Sequence, residues 1–405
     1  MNRPALLDFD EALRQLLELA EPVTGAESVA TQDALDRVLA ADQVSTLDVP
    51  PMDNAQMDGW ALRAADWRAG AALPVSQRIP AGAVPVALAP GTVARIFTGA
   101  TVPDGADTIV MQEQAEPDGE RVRFPQAPEA GAWIRRTGED IRRGSVVLPA
   151  GTRLSPQALG LAASVGLAVL PVRPRVRVAC FFTGDELAMP GEPLAPGAIY
   201  NSNRFVLVAL IRRLGCDVVD LGIVPDSLEA TRAALREAAA GSDLIVTSGG
   251  MSVGEEDHVK PALEAEGVLR TWQVAIKPGK PLAWGRVRRA GNGQAQFIGL
   301  PGNPVSSFVT FLLFVRPFVR RLQGAVGASP PALTLRADFD WPRPDRRREF
   351  LRVRRNDAGG LDLFPNQGSA VLTSTVWADG LVDNPPQQPI RRGDAVRFLP
   401  YGDLL

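Results

Sequence analysis

Apolar residues recur at Phe9, Leu13, Leu16, Leu17 and Ala20, the spacing of one helical face, and Asp8 is placed to cap that helix. A second helix is expected over 31–40. The run Val49-Pro50-Pro51-Met52-Asp53-Asn54 breaks the periodicity and reads as a crossover between domains. From 49 to 141, Gly and Pro punctuate short β-rich stretches such as 93–97 and 108–111, the pattern of a compact β domain. Residues 142–173 return to mixed helix and short strand. Ser155-Pro156 opens a helix ending near Gly166, and Pro171 to Pro174 form a linker.

Between 174 and 326 strands and helices alternate. Strands are expected at 176–181, 218–221, 244–247, 271–276, 281–285 and 296–300. A helix over 203–214 stops at Gly215, and a second reaches Ala240, with Asp226 and Glu229 as its capping box. Asn303 and Pro304 suit the N-cap and first turn of a long apolar helix running to about Arg321. Such alternation implies a mostly parallel sheet with helices on both faces, binding ligands outside the carboxyl ends of its strands. Beyond 327 the chain is β again, with strands expected at 333–339, 350–354, 361–364, 370–375 and 396–399 and turns at 357–360 and 378–380.

The fold class expected is therefore α/β plus β. It is a multi-domain chain with a central three-layer αβα domain over 174–326. A β-rich domain over 49–141 is inserted into an N-terminal linker or dimerisation domain made of 1–48 and 142–173, and a C-terminal β domain covers 327–405.

Composition narrows the chemistry. Hydrophobic residues make up 45% and charged residues 22% of the chain, ordinary for a globular protein, and a net charge of −3 gives no reason to expect a nucleic-acid partner. No 18-residue uncharged apolar run marks a membrane span, and no N-terminal signal segment stands out, so a cytoplasmic location is expected. Cys180 and Cys216 lie in apolar contexts and read as buried thiols in a reducing compartment. His258 is the single histidine, which excludes a hydrolytic triad or a multi-histidine zinc set.

Candidate chemistry concentrates after the apolar run 244–246. Thr247-Ser248-Gly249-Gly250-Met251-Ser252-Val253-Gly254 leads from a strand into a helix, the arrangement that aims backbone N–H groups at an anion. Gly249 and Gly254 carry the spacing of a triphosphate-binding P-loop, but Glu255 and Glu256 stand where that loop needs Lys and Ser/Thr. A tight turn without a ligand is the alternative for this loop alone.

Of 43 basic residues only Lys260, Lys277 and Lys280 are lysines, and all three follow this turn. A compact ammonium in an arginine-rich chain points to an oxyanion site. Three acidic spots, Asp185-Glu186, Asp226 and Asp257, follow three strands at the same sheet edge and suggest Mg²⁺ beside a phosphate. Capping and turn roles are the alternatives for Asp185 and Asp226. The Arg run 343–352 could add bidentate phosphate contacts or simply face solvent.

Beyond these, the motifs Met57-Asp58-Gly59-Trp60-Ala61, Phe97-Thr98-Gly99-Ala100, Gly105-Ala106-Asp107, Arg136-Thr137-Gly138-Glu139-Asp140, Thr183-Gly184-Asp185-Glu186-Leu187 and Tyr200-Asn201-Ser202-Asn203 stand in order. They are followed by the glycine turn, Lys277-Pro278-Gly279-Lys280-Pro281 and Gly299-Leu300-Pro301-Gly302-Asn303-Pro304-Val305-Ser306. From about residue 5 to the C-terminus the chain resembles the molybdopterin molybdenumtransferase family (MoeA and the E domain of gephyrin). The 174–326 unit would be its molybdopterin-binding domain.

That resemblance implies an elongated homodimer that hydrolyses adenylylated molybdopterin and inserts molybdate into its dithiolene, releasing AMP with Mg²⁺ present. It implies that Asp58 and Thr98 enter the cleft from the partner subunit, and that Glu186, Asp226 and Asp257 hold the metal or the reacting phosphate. Ser248, Gly249, Gly250, Ser252, Gly254, Lys277, Lys280, Pro301, Pro304, Ser369 and an arginine of the 347–352 group, Arg347 or Arg352, would bind substrate and oxyanion. An upstream adenylyltransferase and downstream molybdoenzymes are the protein partners it implies. Trp60 replaces the family's usual Tyr, and Gln56 stands where a small residue is usual; neither change removes a charged group. Two other readings are a non-catalytic scaffold of the gephyrin kind and the upstream molybdopterin adenylyltransferase itself.

Overall fold

A computed structural model describes residues 6–250, 258–327 and 332–405. Its central sheet has six strands in the order Asp217–Val224, Arg177–Thr183, Leu244–Ser248, Gln294–Leu300, Pro281–Arg288, Gly267–Gln273. The first three pairings are parallel and the last two antiparallel, so the sheet is mixed, with an antiparallel edge beyond Gln294–Leu300. Leu244, Ile245 and Val246 are all fully buried, as a strand covered on both faces requires.

Side-chain alternation sorts the two faces. Val178, Cys180 and Phe182 enter one core with helices Phe9–Glu18, Ser202–Arg213 and Pro304–Thr310, whereas Ala179 and Phe181 enter another with Leu228–Gly241 and Val259–Glu266. The helix beginning at Pro304 continues through a π turn, Phe311–Val315, into Arg316–Leu322. Burial pushes the thiols of Cys180 and Cys216 up to about 12, which leaves both unreactive. Among the described residues no helix is long and apolar enough to cross a membrane.

The C-terminal strands close on themselves. Arg348–Arg355, Gly360–Leu363, Leu333–Ala337, Ala395–Pro400 and Gly380–Asn384 pair in that order, and the last pairs back to the first, forming a five-stranded barrel. Its core contains Leu351, Val353, Val382 and Phe398. Strand Ile276–Lys277, from the central region, adds in parallel to Arg348–Arg355 from outside and sets Lys277 opposite Glu349. A third six-stranded sheet, from Gly59–Leu62 to Arg121–Arg123, forms the β-rich insertion. The chain leaves for this sheet and returns from it through three short antiparallel pairs, 27–30 with 169–172, 43–44 with 146–148 and 54–55 with 134–135.

Several expectations are corrected. Instead of a helix over 31–40 there is one 3₁₀ turn, Thr31–Asp33. Asp36 takes φ 64°, and Val38 and Leu39 bridge to Arg153 and Val172, so tertiary pairing overrides helical propensity. The cap of helix Leu228–Gly241 is Ser227, whose hydroxyl accepts from the Ala230 amide; Asp226 is not its N-cap. Residues 370–375 are not a strand but lead into the short helix Thr373–Trp377, because the barrel is already closed and offers no edge for them. The last barrel strand, Gly380–Asn384, follows directly on the turn expected at 378–380 and was not itself expected.

Candidate active site

Three parallel strands end together at Thr183, Ser248 and Leu300. At that edge lies a cleft of about 1100 Å³, walled on the opposite side by Arg347 and by the barrel loop 367–372. The turns after the strands are tied to one another. Ser248 Oγ donates to the Pro301 carbonyl at 2.9 Å and accepts from Asn203 Nδ2 at 2.9 Å, and the same amide donates to the Gly302 carbonyl at 2.7 Å. Ser248 is buried, so it fixes the two glycine turns. Pro301, buried, and Pro304 line the cleft beside it.

Gly249 has φ 103°, and a Cβ there would sit 2.7 Å from the Thr183 carbonyl oxygen, so only glycine passes this close to the neighbouring strand end. Gly250 follows with φ 62°. Ser252, Gly254 and Asp257 lie outside the described residues. Asn303 starts the next helix with no side-chain bond to its amides, and Pro304 and Ser306 of its first turn line the cleft.

Lys277 and Lys280 both line the cleft, whereas Lys260 is exposed on helix Val259–Glu266 and is absent from the lining. The lysine cluster is thus a pair at the site and one bystander. Lys277 Nζ donates to Glu349 Oε1 at 3.1 Å and lies 3.5 Å from Asp345 Oδ2. Among the described residues Lys280 has no acidic partner within 4.0 Å. Arg347 forks onto Asp345 at 3.0 and 2.9 Å, and this bond holds the Asp345 carboxyl well below the usual carboxylate range.

The arginine run therefore divides by role. Arg347 lines the cleft; Arg348 instead pairs with Asp383 and Asp10 and stacks over Phe9. Arg352 is only 1% exposed and does not line the cleft. Its guanidinium donates to the Gly368 carbonyl at 3.1 Å and to Ser374 Oγ at 3.2 Å, and burial lowers its pKa to about 10. The expectation that Arg352 contacts ligand is corrected: it sits under the loop that presents Ser369. The Ser369 carbonyl in turn accepts from the Val305 amide at 2.9 Å, which joins barrel loop to helix start.

Glu186 and Asp226 line the same cleft, with the Asp226 amide donating to Asp185 at 3.3 Å. Among the described residues no three acids, histidines or cysteines group closely enough to hold a metal. Asp58 and Thr98 are not in this chain's cleft lining. They bind each other on the insertion, where the Thr98 amide and hydroxyl both donate to Asp58 Oδ1, at 2.8 and 2.7 Å, and hold that carboxyl below its ordinary value.

Asn203, Tyr200, Gln367, the buried Glu349 and the half-buried Asp345 were not singled out as site residues from sequence. Asn203 and Tyr200 had a signal, since both belong to the motif at 200–203. Glu349 had a faint one, a single acid within Arg346-Arg347-Arg348-Glu349.

Fold and cleft together define an α/β protein with a polar cleft at the carboxyl edge of an αβα sheet, under a flanking barrel. Family profiles match three consecutive stretches: "MoeA N-terminal region (domain I and II)" over 7–166, "Probable molybdopterin binding domain" over 179–321, and "MoeA C-terminal region (domain IV)" over 334–401. A Haemophilus influenzae protein named molybdopterin molybdenumtransferase is 37% identical over 409 residues, covering 99% of this chain and 100% of that one. Molybdopterin molybdenumtransferase 2 of Mycobacterium tuberculosis is 38% identical over 93% of this chain and 94% of its own length. A solved structure, the molybdopterin biosynthesis moeA protein of Pyrococcus horikoshii, superposes with a TM-score of 0.83 at 28% identity, covering 98% of this chain and 100% of that chain. The chain belongs to the MoeA family of molybdopterin molybdenumtransferases.

Proposed function

We propose that this chain inserts molybdenum into molybdopterin, taking the adenylylated pterin as substrate and releasing AMP. One observation carries the reading: a single cleft gathers Lys277, Lys280, the Ser248–Gly250 turn and the first turn of the helix at Pro304 together with two carboxylates, Glu186 and Asp226. Directed N–H donors suit molybdate and the pterin's terminal phosphate. Carboxylates beside anionic ligands suit a cation that bridges to phosphate oxygens.

The donor set fits Mg²⁺, which binds through one or two carboxylates plus substrate phosphate and keeps much of its water. Glu186 and Asp226, with Asp257, would hold it, and it would neutralise charge at the phosphoanhydride. Water cleaves that anhydride, so AMP departs and the terminal phosphate stays on the pterin. Lys280 and the Gly249–Gly250 amides hold molybdate beside the dithiolene, and this replaces an encounter in solution with one in a fixed geometry. Ser369 and Arg347 orient the phosphate from the barrel side. Asp58 and Thr98, bound to each other on the insertion, complete the cleft from the partner in a homodimer. The reading includes a cytoplasmic location, receipt of substrate from an adenylyltransferase and delivery of product to molybdoenzymes.

Incubation of the protein with adenylylated molybdopterin, Mg²⁺ and molybdate tests it. Molybdenum cofactor and AMP should form in equal amounts. Absence of AMP, or adenylylation of free pterin with ATP, would overturn it.

A further inference from the structure

The cations facing the cleft differ in how far they are already satisfied. Lys277 and Arg347 meet carboxylates of the barrel region before any ligand arrives, through the contacts to Glu349 and Asp345 described above. Glu349 is completely buried, and its second oxygen accepts from Trp341 Nε1 at 2.7 Å and from the Asp345 amide at 3.0 Å. Burying a carboxylate is costly unless it is paired and hydrogen-bonded, and here every contact needed is supplied. The pairing is set by the backbone, since the parallel register of Ile276–Lys277 on Arg348–Arg355 puts Lys277 directly across from Glu349. Two positive and two negative side chains cancel. Lys280 is then the lining ammonium that no described acid neutralises.

A patch of unneutralised cations attracts any dianion and cannot distinguish molybdate from the smaller sulfate, which has the same charge and tetrahedral shape. Discrimination requires donors held in fixed directions and little surplus charge. We propose that Glu349, assisted by Asp345, is a specificity-determining positioning residue: it fixes the direction of Lys277 Nζ and cancels its charge, so that oxyanions are selected by fit and not by attraction. This rests on the reading of the cleft as an oxyanion site.

Glu349→Gln tests it, because an amide cannot accept from Lys277 on one arm and from Trp341 and the Asp345 amide on the other. Lys277 thereby loses its 3.1 Å partner and keeps only the longer contact to Asp345, and the site gains one positive charge. Binding of sodium molybdate and of sodium sulfate to the full chain is measured by titration calorimetry at fixed ionic strength. The expected result is that the added charge raises the affinity for either dianion about tenfold, while molybdate alone loses the directed Lys277 donor that it fits, so the molybdate-to-sulfate ratio falls about tenfold, with a steeper salt dependence and slower turnover. Asp345→Asn should move the same ratio in the same direction, and it carries the test if the first variant does not fold. A lowered melting temperature with an unchanged molybdate-to-sulfate ratio in the folded variants would overturn the role given to Glu349 and leave the oxyanion reading intact. Failure of the unmodified chain to bind molybdate would overturn both.

Discussion

Replacing each cleft lysine by methionine should separate ligand binding from stability. Lys280 has no acidic partner among the described residues, so Lys280→Met breaks no ion pair there, and folding stability should stay within about 0.5 kcal/mol of the parent. What it removes is a charged hydrogen bond to the oxyanion, worth about 1.5–3 kcal/mol, or roughly 10- to 150-fold in molybdate affinity. Lys277→Met, by contrast, costs stability as well. It leaves Glu349, completely buried, with its Trp341 and Asp345 donors but without the cation. Removing one partner of a buried pair costs several kcal/mol, but the Lys277 side chain is 37% exposed, so a loss of about 1–3 kcal/mol is expected. Molybdate titration calorimetry and urea denaturation measure the two quantities on the same preparations. The reasoning fails if Lys280→Met binds molybdate within twofold of the parent, or if both variants unfold at the same urea concentration.

Gly249→Ala should abolish turnover while leaving the sheet folded, because its Cβ would press on the Thr183 carbonyl from a left-handed backbone; retained activity with unchanged circular dichroism would contradict this. Mixing inactive Asp58→Ala with inactive Lys280→Met, under conditions that exchange subunits, should restore about a quarter of the parent activity if sites are shared between protomers. No recovery would place Asp58 in its own chain's chemistry. Asp345 has a depressed pKa through Arg347, so that pair's stabilisation is complete above the unfolded carboxylate value of about 4 and is lost as pH falls toward the folded value. Arg347→Met should therefore raise the acid-unfolding midpoint, followed by far-ultraviolet circular dichroism, and an unchanged midpoint would refute the assignment.

Local signals were the readable part of this fold. Leu244-Ile245-Val246 running into Ser248-Gly249-Gly250 is a buried strand and a glycine turn in the sequence and in the structure alike. Asn303-Pro304 likewise marks a helix start in both. Lysine scarcity pointed to Lys277 and Lys280, but it could not exclude Lys260, whose direction depends on which face of helix Val259–Glu266 packs inward. Features set by distant pairing were hidden. Gly380–Asn384 becomes a strand only because the barrel must close onto Arg348–Arg355, and the same closure leaves Val371 to Thr375 without a partner. Arg352 and Arg347 look equivalent in a basic run, yet Arg352 lies inside strand Arg348–Arg355 and is buried under the loop at 367–372, whereas Arg347 precedes the strand and lines the cleft.

The two-residue strand Ile276–Lys277 has a mechanical consequence. It is anchored to the barrel while its own chain continues directly into the sheet through Pro281–Arg288, and a second strut, Ser369 to Val305, spans the gap a few residues away. Any rocking of the barrel toward the sheet must therefore drag the ammonium of Lys277 along with it. Narrowing of the gap and delivery of that directed donor become one stroke, with no separate trigger needed to synchronise them.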